Sequence, residues 1–397
     1  MDRVILKRGR EESLLRYHPW VFSGAIAQIV GHPAEGDIVG VYSADGKALC
    51  CGHYQIGSIA VRVLSFDEDP TQEGFWLKML TRAYKLREAY GLAVSESTDC
   101  YRLVHGEGDG LPGLIVDYYN GVCVLQAHSV GMFRSKGAIC DALRKLYGSR
   151  LKAVYDKSSG TAPFKAGLEL VDGYLWKAPD FDGNELAVRE NGNSFLVNWS
   201  EGQKTGFFLD QRENRAAVGR LAKGRRVLNL FCYTGGFSIY ALQGGALHVD
   251  SVDSSQRAMD MVDKNVALNG FDASRHTSYC ADAIDFVKNV PNGAYDLMIV
   301  DPPAFAKHRG ALKNALRAYQ RLNAAAISKV APGGFVFTFS CSQVVDKEAF
   351  ALAVFSAAAE CGRSVRILDR LNQPADHSVN IYHPEGEYLK GLLLYVE

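Results

Sequence analysis

A regular alternation of apolar runs and amphipathic stretches, from about Asn191 to the C-terminus, is the feature that most limits how this chain can fold. Apolar runs of strand length separated by helical periodicity are typical of an α/β fold with a doubly wound parallel sheet. Seven strands are predicted at residues 227–231, 248–252, 277–280, 297–300, 334–340, 365–371 and 391–396. The last two are expected to form an antiparallel edge. Helices are predicted between the strands at residues 237–242, 255–268, 283–288, 312–330 and 347–361.

The first half of the chain shows a different pattern. Short strand signals separated by Gly, Asp or Pro fill residues 1–69, with Asp45-Gly46 as a hairpin signal, and predict a small β-barrel domain. After a linker, helical spacing and then mixed signals predict an α+β region with helices at 75–90 and 135–147 and strands at 153–156, 168–171 and 185–190. The chain is therefore expected to divide into domains at 1–70, 75–190 and 191–397.

Composition excludes several classes of protein. The chain has 397 residues, of which 47% are hydrophobic and 22% charged, as in ordinary globular proteins. No apolar run reaches membrane-spanning length, and the N-terminus lacks the pattern of a secretory signal. Nine cysteines without framework spacing predict reduced thiols in the cytoplasm, and no His/Cys group has zinc-ligand spacing, so no metal is expected. Because the net charge is zero, a nucleic-acid surface would have to be a local patch.

The first predicted strand of the parallel sheet ends in a glycine turn. The segment VLNLFCYTGGF places Thr234, Gly235 and Gly236 between an apolar strand and a helix. Glycines let a ligand approach the backbone closely, and the helix that follows presents its N–H groups. Asp253 ends the next strand about 20 residues later, the spacing at which a carboxylate reaches a ribose diol. A helix N-cap is the alternative role for Asp253.

Two further acids follow the next strands. Asp282 comes just after the third strand, where its carboxylate could accept from an adenine amine, and an N-cap is again the alternative. Asp301-Pro302-Pro303 directly follows the fourth strand, where two prolines remove two N–H donors and stiffen the exit. Such a turn suits binding a planar group through its hydrogen-bonding edge, although a plain strand end would look the same. Ligands of these sheets bind beyond the carboxyl ends of the strands.

Cys341 ends the fifth strand, in the segment GGFVFTFSCSQ. A thiol there opens onto the same crevice, and a thiolate attacks electrophilic carbon well. Cysteines are commonly buried as small hydrophobes, so a packing role is the alternative. The flanking serines and the location favour a nucleophile. The T-G-G turn differs from the G-x-G-x-x-G pattern of NAD sites.

Taken together, these motifs resemble the series found in class I S-adenosylmethionine-dependent methyltransferases. A closer similarity, covering essentially the whole chain, is to the RlmI-type 23S rRNA 5-methylcytosine methyltransferases. It is carried by the segments QKTGFFLDQRENR, DPPAF, SCS, HPWVFSGAI and RLVHGEGDGLPGLIVD. The resemblance implies an N-terminal PUA domain, a middle α+β domain and a C-terminal Rossmann-like methyltransferase domain. It also implies S-adenosyl-L-methionine as cofactor and 23S ribosomal RNA as partner, and leaves open whether the protein is a homodimer.

The resemblance also assigns roles to individual residues. The cofactor contacts it implies are Phe207, Gln211, Arg212, the Thr234, Gly235 and Gly236 turn, Asp253, Asp282, Asp301 and Pro302. Cys341 matches the catalytic thiol, and Asp301 is expected to bond the edge of the base. Many related enzymes carry a second cysteine that assists release, and Ala304 stands in that place here. The group that removes the carbon-5 proton is therefore unassigned, with water as one candidate.

RNA binding has a weaker local signal. Lys7, Arg8, Arg10 and Arg16 are candidate contacts to the phosphate backbone in the expected PUA domain. An ordinary solvated face is the alternative for such a small basic excess.

Three other functions remain open at this point. A methyltransferase acting on a guanine exocyclic amine could use the Asp-Pro-Pro turn and would need no cysteine. A non-catalytic RNA-binding or ribosome-assembly protein could keep the cofactor pocket without the reaction. A dehydrogenase is a more distant alternative.

Overall fold

The protein is described by a computed structural model that covers residues 1–163 and 166–397. Its chain forms two compact units. The first consists of Met1–Val188, Val197–Leu209 and Ala375–Gly386. The second consists of Arg189–Leu196, Asp210–Pro374 and Glu387–Glu397. Each unit is therefore built from segments that are distant in sequence.

The first unit begins with a six-stranded sheet among its described residues. Its strands are β1 (Arg3–Leu6), β2 (Trp20–Phe22), β3 (Ile26–Val30), β4 (Ile38–Tyr42), β5 (Ala48–Tyr54) and β6 (Ile59–Ser65), in the order β2-β6-β5-β4-β1-β3. The short helix α1 (Glu12–Leu15) precedes β2. The antiparallel pair β4–β5 turns at Asp45-Gly46, and the φ of 82° at Gly46 explains why glycine stands there.

A second sheet of the first unit packs against helices. Its strands are β7 (Cys100–His105), β8 (Leu114–Tyr119), β9 (Val122–Ala127), β10 (Ala153–Asp156) and β11 (Gly173–Lys177), in the order β11-β10-β9-β8-β7. The helices are α2 (Phe75–Ala89), α3 (Val130–Arg134) and α4 (Lys136–Tyr147). The predicted strand at 168–171 is wrong, because Leu168 and Leu170 pack against this core without a ladder and the strand beside β10 is β11.

A two-stranded hairpin follows. It consists of β12 (Glu185–Glu190) and β13 (Asn193–Asn198). Asn191 and Gly192 form its turn with φ values of 50° and 81°, as two-residue hairpins require.

The second unit contains a seven-stranded sheet within the described part of the chain. Its strands are β14 (Arg226–Leu230), β15 (His248–Asp253), β16 (His276–Cys280), β17 (Tyr295–Val300), β18 (Val330–Ser340), β19 (Val365–Asn372) and β20 (Lys390–Val396). The spatial order is β16-β15-β14-β17-β18-β20-β19. The first five strands are parallel, and β20 runs antiparallel to both of its neighbours. The predicted doubly wound sheet with an antiparallel edge is confirmed.

Helices cover this sheet. They are α5 (Arg212–Leu221), α6 (Gly236–Gln243), α7 (Gln256–Leu268), α8 (Ala283–Asn289), α9 (Leu312–Lys329) and α10 (Lys347–Cys361). Leu297, Met298, Ile299 and Val300 of β17 are all fully buried, as expected for a central parallel strand. The strand order reverses between β14 and β17, which opens a crevice at their carboxyl ends.

Candidate active site

The turn between β14 and α6 has a strained backbone. Phe231, Tyr233 and Gly235 have φ values of 57°, 49° and 81°. A non-glycine residue in this region costs about 1–2 kcal/mol, so the surrounding structure must hold it in place. Backbone strain of this kind is concentrated at ligand sites.

Close packing explains why two glycines stand in this turn. A Cβ on Gly235 would lie 3.0 Å from Val262 of α7, and one on Gly236 would lie 3.0 Å from Arg215 of α5. The Gly235 N–H donates to the Cys232 carbonyl at 2.9 Å, and the Asn265 side chain donates to the Thr234 carbonyl at 2.9 Å. The turn is therefore held from α5 and α7.

Asp253 lies beside this turn at the end of β15. Its half-buried carboxylate accepts from the Tyr233 N–H at 3.0 Å and from the Ser255 N–H at 3.1 Å. The N-cap of α7 is Ser255, whose hydroxyl accepts from the Ala258 N–H. Asp253 thus links β15 to the glycine turn, the place where a ribose-binding carboxylate is expected.

Asp282 caps a helix, which is the alternative that the sequence left open. Its Oδ1 accepts from the N–H groups of Ile284 and Asp285, both at 2.9 Å, and begins α8. The side chain is exposed at the carboxyl end of the sheet. Capping by Oδ1 is compatible with a second acceptor role for Oδ2.

These features fit a nucleoside-bearing cofactor. The strained turn, the close approach of α6 to α5 and α7, and carboxylates after β15 and β16 lie at one edge of the sheet. That edge, next to the reversal of strand order, is where α/β sheets bind nucleotides.

Asp301 is held at the carboxyl end of β17 by a chain of amides. The Gln211 Nε2 donates to Asp301 Oδ2 at 3.0 Å, and the Asn214 Nδ2 donates to Gln211 Oε1 at 2.6 Å. Asn214 also donates to the Asn372 carbonyl at 3.3 Å. Gln211 and Asn214 are buried, so the half-buried Asp301 carboxylate has a defined direction. Pro302 next to it is buried.

Cys341 follows β18 and is half-buried. Its neighbours are anchored: the Ser340 hydroxyl donates to Tyr319 Oη at 2.9 Å, and the Ser342 hydroxyl donates to the Ala306 carbonyl at 2.7 Å. Burial raises the pKa of Tyr319 to about 12, and the nearby Cys341 and Asp301 act in the same direction. Asp301 and Cys341 follow the neighbouring parallel strands β17 and β18, so both lie at the same edge of the sheet.

Two residues of this site were missed by the sequence analysis. Tyr319 lies on the buried face of α9, where an aromatic residue signals ordinary packing. Lys390 begins β20 and is only 7% exposed. Its signal was a charged residue heading the apolar run KGLLLYV.

The structure places Arg212 beside a buried glutamate and Phe207 in the first unit. The Arg212 Nε lies 3.5 Å from Glu190 Oε2, and both side chains are buried. Glu190 also accepts from Arg215 at 2.9 and 2.7 Å. Phe207 belongs to the first unit, is 3% exposed, and its carbonyl accepts from the Tyr119 hydroxyl at 3.4 Å. Their cofactor roles remain predictions.

The four basic candidates for RNA binding are all exposed. The Lys7 Nζ donates to the Gly24 carbonyl at 2.9 Å, Arg8 lies 4.0 Å from Asp45, and Arg16 pairs with Glu12. Exposed pairs of this kind are weak. Phosphate groups could therefore compete for Arg8, Arg10 and Arg16.

The first unit also brings together possible metal ligands. Ligand atoms of His18, His383 and Glu385 lie within 4.8 Å of one another. His383 packs against Trp20 with ring centroids 4.4 Å apart, and the Trp20 N–H donates to His18 Nδ1 at 3.2 Å. This hydrogen bond uses the lone pair of His18 Nδ1. That the chain needs no metal remains a prediction.

Within residues 1–163 and 166–397, no helix combines the length and the apolar character needed to cross a membrane.

Family models match both ends of the chain. The model of S-adenosylmethionine-dependent methyltransferases matches residues 177–393, and that of a PUA-like domain matches residues 4–66. The predicted fold class is thereby confirmed.

Curated relatives match nearly the full length. Proteins named ribosomal RNA large subunit methyltransferase I are 39% identical in Aeromonas hydrophila, over 98% of each chain, and 40% identical in Erwinia tasmaniensis, also over 98% of each. That from Cronobacter sakazakii is 39% identical over 99% of each chain.

Solved structures show the same fold. A candidate methyltransferase named SMU.776, crystallised with SAH, superposes with a TM-score of 0.85 at 23% identity over 100% of each chain. A candidate SAM-dependent methyltransferase from Streptococcus mutans does so with a TM-score of 0.83, also at 23% identity and full coverage.

Proposed function

The chain belongs to the S-adenosylmethionine-dependent methyltransferases, in the family of the ribosomal RNA large subunit methyltransferase I proteins, and we propose that it methylates carbon 5 of a cytosine in 23S ribosomal RNA. The observation that carries the proposal is that a half-buried thiol and a fixed carboxylate follow neighbouring parallel strands of one sheet. Cys341 and Asp301 both influence the Tyr319 hydroxyl at the carboxyl ends of β18 and β17.

The proposed reaction requires a nucleophile that activates carbon 5 of the cytosine, and the Cys341 thiol can serve as this nucleophile. Carbon 5 of cytosine is a poor nucleophile, and addition of the Cys341 thiolate to carbon 6 makes it enamine-like. A bound S-adenosyl-L-methionine would supply an electrophilic methyl group, whose bond to the sulfonium sulfur breaks on transfer and leaves S-adenosylhomocysteine. When the Sγ–C6 bond forms, the electron pair of the C5–C6 double bond becomes available at carbon 5 for the new carbon–carbon bond.

Asp301 orients the base. Gln211 holds one carboxylate oxygen at 3.0 Å, which directs the carboxyl group toward a base edge rather than into solvent. There it accepts a hydrogen bond from N3, which takes up a proton from solvent as the adduct forms, and so stabilises the adduct. Water then removes the proton from carbon 5, the Sγ–C6 bond breaks as the C5–C6 double bond re-forms, N3 returns its proton to solvent, and the thiolate is regenerated.

The rest of the chain serves RNA recognition in this proposal. Residues 1–70 form the PUA-like RNA-binding domain, 75–190 the middle domain and 191–397 the methyltransferase domain. Lys7, Arg8, Arg10 and Arg16 contact phosphates, while the target cytosine is unstacked to reach the thiol. Nine cysteines without a disulfide among the described residues agree with a cytoplasmic location.

Cys341→Ala tests the proposal. Purified protein, S-adenosylmethionine and 23S rRNA lacking the modification are incubated, and nucleosides are quantified by mass spectrometry. The 5-methylcytosine formed should fall by at least about 10³-fold, because the covalent step has no substitute. Binding of S-adenosylhomocysteine, measured by calorimetry, should be unchanged.

Cys361→Ala is the matched control, since this thiol lies at the end of α10. Retained 5-methylcytosine formation by Cys341→Ala would refute the adduct. Methylated guanine as the product would instead identify an amine methyltransferase. Cofactor binding by the native protein without transfer to any RNA would favour an assembly protein.

A further inference from the structure

Lys390 is a buried cation beside the thiol loop. It pairs with Ser340 across the β18–β20 ladder, directly before Cys341. Only 7% of the residue is exposed, and a lysine is rarely buried so deeply without a paired charge. Among the salt bridges of the described residues, none involves Lys390.

The Lys390 ammonium holds the loop that follows β18 through two hydrogen bonds. Its Nζ donates to the Ser342 carbonyl at 2.5 Å and to the Val345 carbonyl at 2.6 Å. An ammonium has three N–H bonds, so one remains for another acceptor. Two main-chain carbonyls satisfy hydrogen bonds but do not neutralise the charge, which costs free energy to bury.

The charges around Lys390 point to Cys341. Burial lowers the pKa of Lys390 to about 8, while Cys341, Asp346 and Glu387 oppose this change and Lys347 adds to it. Asp346 is the N-cap of α10, and Glu387 is paired with the half-exposed Lys347 at 2.5 Å. Of these groups, only Cys341 belongs to the loop that Lys390 closes.

Tyr319 and Asp301 do not favour a Cys341 thiolate. Tyr319 is neutral at physiological pH because its pKa is raised to about 12. Asp301 is a carboxylate acting on the same hydroxyl, and a like charge disfavours ionisation of a nearby thiol. A nearby positive charge opposes the effect of Asp301 and favours the thiolate.

We propose that Lys390 is a positioning residue that holds the Cys341 loop and electrostatically stabilises the Cys341 thiolate. The inference deepens the proposed function, on whose assignment of Cys341 as nucleophile it rests. Its strongest sign is the buried ammonium bonded to the carbonyls of Ser342 and Val345, in the loop that follows the thiol.

Alkylation of the native protein tests the inference without RNA or cofactor. Iodoacetamide reacts with the thiolate, and mass spectrometry of the Cys341 peptide separates this thiol from the other eight. The rate should rise with pH to a midpoint clearly below about 8.5, the value of an ordinary thiol. A midpoint at or above that value would overturn the proposal, and this measurement needs no variant to fold.

Lys390→Met removes the charge while keeping the length of the side chain. The pH at the midpoint of the alkylation profile should rise by about one pH unit or more, since an opposite charge at close range shifts a pKa by about 1–3 units. Lys390→Arg should restore most of the native midpoint. Lys347→Met is the matched control, a half-exposed lysine of the same region, and should leave the midpoint nearly unchanged.

Two results would refute the charge effect. In folded Lys390→Met, with native circular dichroism, either an unmoved midpoint or a rate reduced equally at every pH would leave only a structural role. Failure of the proposed function would look different, because the native protein would then form no 5-methylcytosine, or Cys341→Ala would still form it, whatever the alkylation profile.

Discussion

The two halves of the carboxyl edge of the seven-stranded sheet are built differently. Beyond β15 and β16, the two carboxylates are held by backbone N–H groups, at most 20 residues away for Asp253 and 2 or 3 residues away for Asp282. Beyond β17 and β18, Asp301 and Lys390 bond to partners 45 to 90 residues distant in sequence. We infer that the first half binds the cofactor and the second performs the reaction, so variants in the two halves should fail in different ways.

The largest expected effect of the carboxylate variants is in the reaction half. Asp301→Asn should lower the rate of 5-methylcytosine formation by about 10²–10³-fold, the usual loss when one stabilising group of a transition state is removed. Saturating cofactor should not restore the rate. Single-turnover kinetics with excess enzyme provide the measurement.

Asp296→Asn is the control for Asp301, since Asp296 lies at the opposite end of β17 and accepts from the Arg226 N–H. A full rate for Asp301→Asn at saturating cofactor would move Asp301 from the reaction half to the cofactor half.

A smaller effect is expected for the carboxylate beside the glycine turn. Asp253→Ala removes the acceptor of the Tyr233 and Ser255 N–H groups and the expected ribose contact. A hydrogen bond to a charged group is worth about 1.5–3 kcal/mol, so the cofactor Kd should rise by about 10–100-fold. Calorimetry with S-adenosylhomocysteine measures this.

For Asp253→Ala, raising the cofactor concentration should recover most of the rate, in contrast to Asp301→Asn. Asp260→Ala on the exposed face of α7 is the matched control. An unchanged Kd would remove Asp253 from the cofactor half and leave it a structural link.

The smallest effect is expected at Asp282. Asn caps helices about as well as Asp, so Asp282→Asn should unfold at nearly the native temperature, whereas Asp282→Ala should lose about 1 kcal/mol of stability. Thermal unfolding should show a drop of about 2–4 °C for the alanine variant, as is usual for a unit of this size. Equal loss in both variants would mean that charge rather than the cap matters there.

The accuracy of the sequence analysis follows the same division. Asp301 and Cys341 follow the neighbouring parallel strands β17 and β18, as predicted, and parallel strands deliver their carboxyl ends to one edge, whereas the roles of the two residues stay predictions. The antiparallel edge was also predicted, but not that β20 inserts between β18 and β19 and so brings Lys390 beside the thiol. The resemblance implies a cofactor contact for Arg212, which stays a prediction, but nothing near it in sequence indicates its proximity to Glu190, 22 residues earlier in a hairpin.

The sequence by itself determined the alternation of strands and helices, the place of the glycine turn and the resemblance to the family, because period, turn chemistry and motifs are local properties. The tertiary structure decided which side chains share the thiol's surroundings: Tyr319 from α9, Gln211 from the start of α5, and Lys390 from β20. Electrostatic energy depends on distance in space and on burial, and neither can be read from spacing along the chain.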